Sequence, residues 1–306
     1  MPGTKKNLSK ATKHKIMAEW SVFSIFAKKY PTMRFLNAFL FVILFLTACT
    51  TSLPELHETV CIDGSVGKLR GQVDRPALPD GKAPVAIILH GLTGYRTEPH
   101  LNALADSLLA RGVATVRFDF NGHGDSEGQF SSMTLFNELE DAHLIYDYVT
   151  ALPWVDAEHI SIAGHSQGGL EAGLLAGELG AGKVHKLLLL APAACIHTMA
   201  EEGSLFGYET GHTLPDSLQF WGGRYLGKAY LQSALDCDVY GITARYEGPV
   251  RILQGMDDSP GLIRDAKRYL VYLPQAEFIP LEGLSHCYPE DLGTPARLGA
   301  DFIAGD

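Results

Sequence analysis

The sequence predicts an α/β fold: a mostly parallel central sheet with helices on both faces and a cap inserted late in the chain. Three observations carry this prediction. Short apolar runs alternate with helix-length segments from about residue 60 onward, the pattern of parallel strands joined by crossover helices. The alternation stops between residues 195 and 248, where eight aromatic residues fall in 54 positions, about 15% against 9% for the chain. Finally, Gly164-His165-Ser166-Gln167-Gly168-Gly169 stands between an apolar strand and a helix-forming run. That is the Gly-x-Ser-x-Gly turn in its proper strand-to-helix context.

The elements follow in order. Val60–Val73 reads as an opening hairpin with its turn at Asp63-Gly64. Val85–Leu89 is a continuous apolar run, as a strand buried on both faces requires. His100–Arg111 reads as a helix and Ala114–Phe118 as a strand. Leu135–Val149 shows helical spacing at Leu135, Leu139, Ala142, Ile145 and Val149. The strand Ile160–Ala163, a helix from about Leu170 to Leu179 and the strand Lys186–Leu190 come next. Val250–Leu253 and Ala276–Ile279 supply two late strands, and a helix near Thr294–Ala304 closes the chain. The aromatic-rich segment 195–248 is expected to lie above the carboxyl ends of the strands, where open α/β sheets bind ligands.

A chain of 306 residues with 46% apolar content can bury one large core plus an insertion. Its net charge is −10, yet residues 1–34 hold eight of the 25 Lys/Arg and one of the 35 Asp/Glu. The remainder is strongly acidic, which excludes nucleic acid as a partner, since that needs a basic footprint. The basic head precedes Phe35–Leu46, an apolar run too short for the roughly 20 residues of a membrane span but suited to a secretory signal. It ends in Leu46-Thr47-Ala48-Cys49, which resembles the lipobox of bacterial lipoproteins. That resemblance implies cleavage before Cys49, acylation of this cysteine and export to a membrane surface. With Thr50 rather than aspartate next, it implies the outer membrane if the cell has one. Met33-Arg34 offers a start that would give this signal an ordinary length. The expected organisation is a signal segment 1–48 and a lipidated tether 49–59. A core of 60–194 and 249–306 follows, with the cap at 195–248.

The remaining cysteines, Cys61, Cys195, Cys237 and Cys287, match no zinc spacing, and the twelve histidines form no paired ligand motif. No metal or cofactor is expected. Export would permit a Cys195–Cys237 disulfide, a pairing the sequence leaves open, and Cys287 is expected as a buried free thiol. The oligomeric state has no signature in the sequence.

A serine at such a turn needs a base, and the base needs an orienting acid. On this kind of sheet they follow in the order Ser, Asp/Glu, His, each after a late strand. Asp258 follows Val250–Leu253, and His286 follows Glu277-Phe278-Ile279. Asp257 competes with Asp258, because only one of two consecutive side chains can face the histidine. His165 sits inside the turn, where its direction is wrong for the base, and His123 belongs to a glycine-rich turn before the serine. The loop Asn121–Ser126 reads as a structural floor. Acyl transfer also needs oxyanion donors. The Gln167 N–H is one, and the Leu92 N–H of His90-Gly91-Leu92-Thr93-Gly94 is the other candidate.

Residues 60–304 resemble the α/β-hydrolase superfamily and, within it, the cinnamoyl/feruloyl esterases of gut bacteria. The resemblance rests on Val116–Ser126, Gly164–Gly169, Leu189–Ala194 and Ser285-His286-Cys287. It implies the triad Ser166, Asp258 and His286, and a cap of this length covering an aromatic acyl group. The family's Gly-Gly-x-Tyr matches Gly222-Gly223-Arg224-Tyr225, which implies a polar contact from Tyr225 to a ring hydroxyl. Phe206 and Trp221 are the other cap residues expected at the substrate. Two features depart from the family: Asp258 precedes Ser259-Pro260-Gly261 rather than Val-Val or Val-Pro, and the early cap carries apolar Met199 and Phe206.

The expected protein is a lipid-anchored serine esterase of small-molecule esters, with hydroxycinnamoyl esters leading. A general short-chain carboxylesterase, a thioesterase or an S33-like peptidase would use the same triad, and fold does not separate them. A non-catalytic surface binding protein on this scaffold is the rival of another class.

Overall fold

A computed structural model describes residues 55–78, 81–211 and 213–305. The signal segment and Cys49 lie outside them. The described residues form an eight-stranded sheet in the order β1-β2-β4-β3-β5-β6-β11-β12. β1 (Leu56–Asp63), β2 (Lys68–Arg75) and β4 (Ala114–Phe118) pair antiparallel. β4, β3 (Ala83–Leu89), β5 (Val155–His165), β6 (Leu187–Leu190), β11 (Val250–Gly255) and β12 (Glu277–Leu281) run parallel.

The continuous apolar runs explain why the sheet has two covered faces. On β3, Val85, Ile87 and Leu89 enter one apolar cluster while Ala86 and Ile88 enter the other, as the two-residue period of a strand requires. Helices α2 (Leu135–Thr150) and α3 (Gln167–Leu179) cover the first face. Helices α1 (Pro99–Leu109) and α8 (Gly293–Ala304) cover the second. Thr134 caps α2 in a capping box with Asn137.

The larger differences from the sequence prediction have physical reasons. β1 begins at Leu56, inside the expected tether, because its full length pairs with β2, starting at Leu56↔Arg75. β5 begins five residues before Ile160, in a stretch whose Asp156, Ala157, Glu158 and His159 are not buried and so carry little apolar signal. Helix α7 (Pro260–Tyr272) was not predicted. Its buried stripe of Leu262, Ala266 and Tyr269 at helical spacing is diluted by Arg264, Lys267 and Arg268. Finally, the segment 195–248 divides in two. Its first part holds α4 (Cys195–Glu201), the hairpin β7–β8 (Ser204–Leu205, Tyr208–Glu209) and the pair β9–β10 (Ser217–Gln219, Tyr225–Gly227). Its second part, α5 (Lys228–Asp236) and α6 (Val239–Thr243), joins the core layer. Thr243 of α6 sits against Gly173 of α3, and the Tyr246 hydroxyl donates to the Val184 carbonyl at 3.2 Å.

Cys195 and Cys237 are buried free thiols, so no disulfide joins the ends of this segment. Cys287 is also free but exposed, which corrects the expectation of burial. The neighbouring Tyr288, not Cys287, fills the core and donates to the Leu253 carbonyl at 3.0 Å.

Candidate active site

Ser166 sits where β5 ends and α3 begins, with φ 56° and ψ −122°, a strained backbone for a residue with a Cβ. The glycines flanking it are forced by close approach: a Cβ on Gly164 would run into the Gly168 carbonyl, and one on Gly168 into the Leu89 and His90 carbonyls. This lifts the hydroxyl clear of the turn, ahead of the N-terminus of α3.

His286 arrives on the loop after β12, and its Nε2 lies 2.9 Å from Ser166 Oγ. Its Nδ1 lies 2.8 Å from Asp258 Oδ2, on the loop after β11. Asp258 is held by two further donors: Gln254 Nε2 at 3.0 Å to Oδ2, and the Ser259 N–H at 2.7 Å to Oδ1. Its side chain is 3% exposed, whereas Asp257 faces solvent. The unusual Ser259-Pro260-Gly261 sequence therefore leaves the carboxylate in reach of His286, with Pro260 starting α7.

His165 points away from Ser166 and donates from Nε2 to the His286 carbonyl at 2.9 Å. Burial holds its pKa well below the ordinary histidine value, with His100 adding to the effect. It ties the serine turn to the histidine loop.

Gly91–Gly94 forms a turn closed by the Gly94 N–H to the Gly91 carbonyl at 2.9 Å. A Cβ on Gly91 would come 2.9 Å from Ser166 Cβ, so this turn lies against the serine. The N–H groups of Leu92 and Gln167 have no protein acceptor among the described residues. Two neutral histidines fix the turn. His90 Nε2 accepts the Phe120 N–H at 3.0 Å, and its Nδ1–H donates to the Gly91 carbonyl at 2.8 Å. His123 Nε2 accepts the Thr93 N–H at 3.2 Å, and its Nδ1–H donates to the Asn121 carbonyl at 3.1 Å. Burial pushes His90 down to about 4 and His123 to about 3, which keeps the acceptor nitrogens free near neutral pH. Both histidines were visible in the sequence. What was missing was any sign that they grip the same turn.

The loop Asn121–Ser126 is buttressed from both sides. Asp119 accepts the Arg96 N–H at 2.6 Å and the Asp125 N–H at 2.9 Å, and it pairs with the Arg96 guanidinium. Asp141 accepts the Asn121 N–H at 3.0 Å and its side-chain amide at 2.8 Å.

Beside His286 a cavity of about 430 Å³ is lined by Met199, Phe206, Trp221, Leu262, Asp258 and Ser259, among others. Phe206 occupies the tip of the β7–β8 hairpin at φ 48°, and its ring centroid is 5.5 Å from that of Trp221. Tyr225 is not among the lining residues. On β10 the alternation turns Leu226 inward and leaves Tyr225 half-exposed, so the structure does not bring it to the cavity. Among the described residues, no cluster of three or more His, Cys, Asp or Glu could hold a metal.

The Hydrolase_4 family model, described as serine aminopeptidase, S33, matches residues 82–237. Est1E from Butyrivibrio proteoclasticus, solved with ferulic acid bound, is 33% identical. That match covers 80% of this chain and 97% of the other, with a TM-score of 0.76. Dienelactone hydrolase from Anabaena variabilis, at 16% identity over 82% of this chain and 98% of its own, shares the fold with a TM-score of 0.59. Among curated relatives, the quorum-quenching protein AidA of Acinetobacter baumannii is 31% identical over 119 residues. That alignment covers 39% of this chain and 38% of AidA, so the chain spans well under half of that relative's length.

Proposed function

The chain belongs to the Hydrolase_4 (serine aminopeptidase, S33) family of α/β-hydrolases, and we propose that it is a serine esterase that cleaves hydroxycinnamoyl esters. One observation carries this: Ser166, His286 and Asp258 are joined by unbroken hydrogen bonds, and His286 and Asp258 line an apolar cavity walled by Phe206 and Trp221. His286 Nε2 takes the Ser166 proton as the hydroxyl attacks the ester carbonyl. Asp258 accepts the Nδ1–H bond and steadies the imidazolium. The Leu92 and Gln167 N–H groups bind the oxyanion, each worth about 3 kcal/mol of barrier. His286 then protonates the departing alcohol, and the same nitrogen activates water to release the acid.

The cavity volume lies within the roughly 300–1,000 Å³ typical of small-ligand sites. Two tilted rings 5.5 Å apart offer flat apolar faces to a planar acyl group. The likeness to Est1E, whose structure holds ferulic acid, supports the same acyl class. Tyr225 has no part in this reading. A comparison of kcat/KM for ethyl ferulate and p-nitrophenyl butyrate tests it: ferulate is preferred if the cavity takes an aromatic acyl group. Preference for butyrate would demote the chain to a general short-chain esterase.

Lipid attachment at Cys49 completes the proposal, supported by the basic head, the apolar run and Leu46-Thr47-Ala48-Cys49. Attachment to the membrane surface would follow from acylation at that cysteine, two or more chains being needed for stable anchoring. Metabolic labelling with a fatty-acid analogue should mark the wild type and not Cys49→Ser. Equal labelling of both would refute the attachment site.

A further inference from the structure

Behind the serine, a line of buried polar side chains runs from α5, in the second part of segment 195–248, to the turn that carries Leu92. The Tyr230 hydroxyl of α5 donates to Gln167 Oε1 at 2.6 Å. Gln167 Nε2 donates to Glu138 Oε2 of α2. Glu138 Oε1 lies 3.5 Å from His123 Nδ1, and His123 Nε2 accepts the Thr93 N–H at 3.2 Å. Tyr230 is fully buried, Gln167 and Glu138 are 1% exposed and His123 is 4% exposed. The line thus joins both elements that carry the proposed oxyanion donors.

Thr93 shows what such a line has to hold. It is the third residue of the Gly91–Gly94 turn and stands at φ 65°, a conformation unfavourable for a β-branched residue. Reversal of the Leu92–Thr93 peptide would relieve it. The reversed peptide would turn the Leu92 carbonyl toward the lone pair of His123 Nε2, which repels it. His123 therefore holds the strained form, while Glu138 packs behind His123 and Gln167 together. Glu138 Oε1 makes no hydrogen bond among the described residues: the His123 Nδ1–H goes to the Asn121 carbonyl, and Oε1 packs 3.5 Å from that nitrogen. Burial pushes its pKa up, which favours the uncharged carboxyl beside a neutral histidine.

We infer that Tyr230, Glu138 and His123 are positioning residues that set the spacing of the Leu92 and Gln167 N–H groups, so that packing of α5 governs oxyanion binding. This rests on the esterase reading and adds to it a dependence on residues that never touch substrate. Substrate binding in the cavity is untouched by these residues; only the charged tetrahedral state feels a misplaced donor. A misplacement of under 1 Å suffices for a rate loss of about tenfold.

The test uses the purified full chain with Tyr230→Phe, Glu138→Gln and Gln167→Met, the last keeping the backbone N–H while removing both side-chain bonds. Each is assayed on p-nitrophenyl butyrate and titrated with a trifluoromethyl ketone, which forms an oxyanion on the serine, and with the free product acid. The expected result for Tyr230→Phe is a kcat about tenfold lower, KM within about twofold of wild type, and trifluoromethyl ketone affinity reduced in step with kcat. Product-acid affinity stays unchanged. Glu138→Gln, which retains an acceptor for Gln167, should lose less than Glu138→Leu. Should Tyr230→Phe not fold, Gln167→Met carries the same expectation. The inference is overturned if a folded variant keeps kcat and ketone affinity within about twofold of wild type, or if KM and product affinity shift with kcat. An inactive wild type that also fails to bind the ketone would instead defeat the esterase reading itself.

Discussion

Ser166→Ala is expected to remove ester hydrolysis almost entirely, by a factor on the order of 10⁴ to 10⁶ in kcat. The substitution deletes one oxygen and keeps the Cβ, so the turn should survive: Ser166 contributes its N–H to the Leu190 carbonyl at 2.9 Å and its carbonyl to the Ala193 N–H, both backbone bonds. What disappears is the hydroxyl oxygen that lies 2.9 Å from His286 Nε2 and would form the covalent bond. Steady-state assay on p-nitrophenyl butyrate measures it. Activity within a hundredfold of wild type, in protein free of contaminating esterase, would remove Ser166 from its proposed role.

Asp258→Asn is expected to lower kcat by about 10⁴ while KM stays nearly constant. The reason lies in what surrounds the carboxylate. Oδ2 receives both the His286 Nδ1–H and Gln254 Nε2, and Oδ1 receives the Ser259 N–H. An asparagine has one oxygen and one amide nitrogen, so whichever way it turns, donor meets donor. If the oxygen faces Ser259, the amide faces His286 and forces the proton onto Nε2, where it cannot accept from Ser166. Asp257→Asn, at an exposed side chain, should leave kcat within about twofold, because its nearest backbone role is an N–H to the Leu284 carbonyl at 3.0 Å. Equal losses in both variants would contradict the assignment of the acid.

Much of this was legible in the sequence because strong local signals coincide with strong physical demands. Val85–Leu89 reads as a buried strand since both faces of the sheet are covered. The serine turn is legible because Gly164 and Gly168 are compelled by backbone contacts. The order of Ser166, Asp258 and His286 follows from each lying just beyond a strand end. What escaped depends on distant contacts. Tyr225 looked poised for substrate by motif, but the two-residue period of β10 and the burial of Leu226 turn it outward. The gripping of Thr93 by His123 spans thirty residues and has no local signature. Helix α7 is masked by charges on its outer face, and the division of 195–248 is set by how closely α6 meets Gly173 and Gly177 of α3.

The proposed acyl-enzyme, a hydroxycinnamoyl group on Ser166, can be trapped. Trapping it is the most direct measurement: mix the enzyme with vinyl ferulate, quench in acid within the first turnovers and determine the intact mass and the modified peptide. The expected result is one feruloyl group per chain, located on the peptide containing Ser166 and absent from Ser166→Ala. An unmodified chain during active turnover of the ester, or a feruloyl group on any other residue, would contradict it.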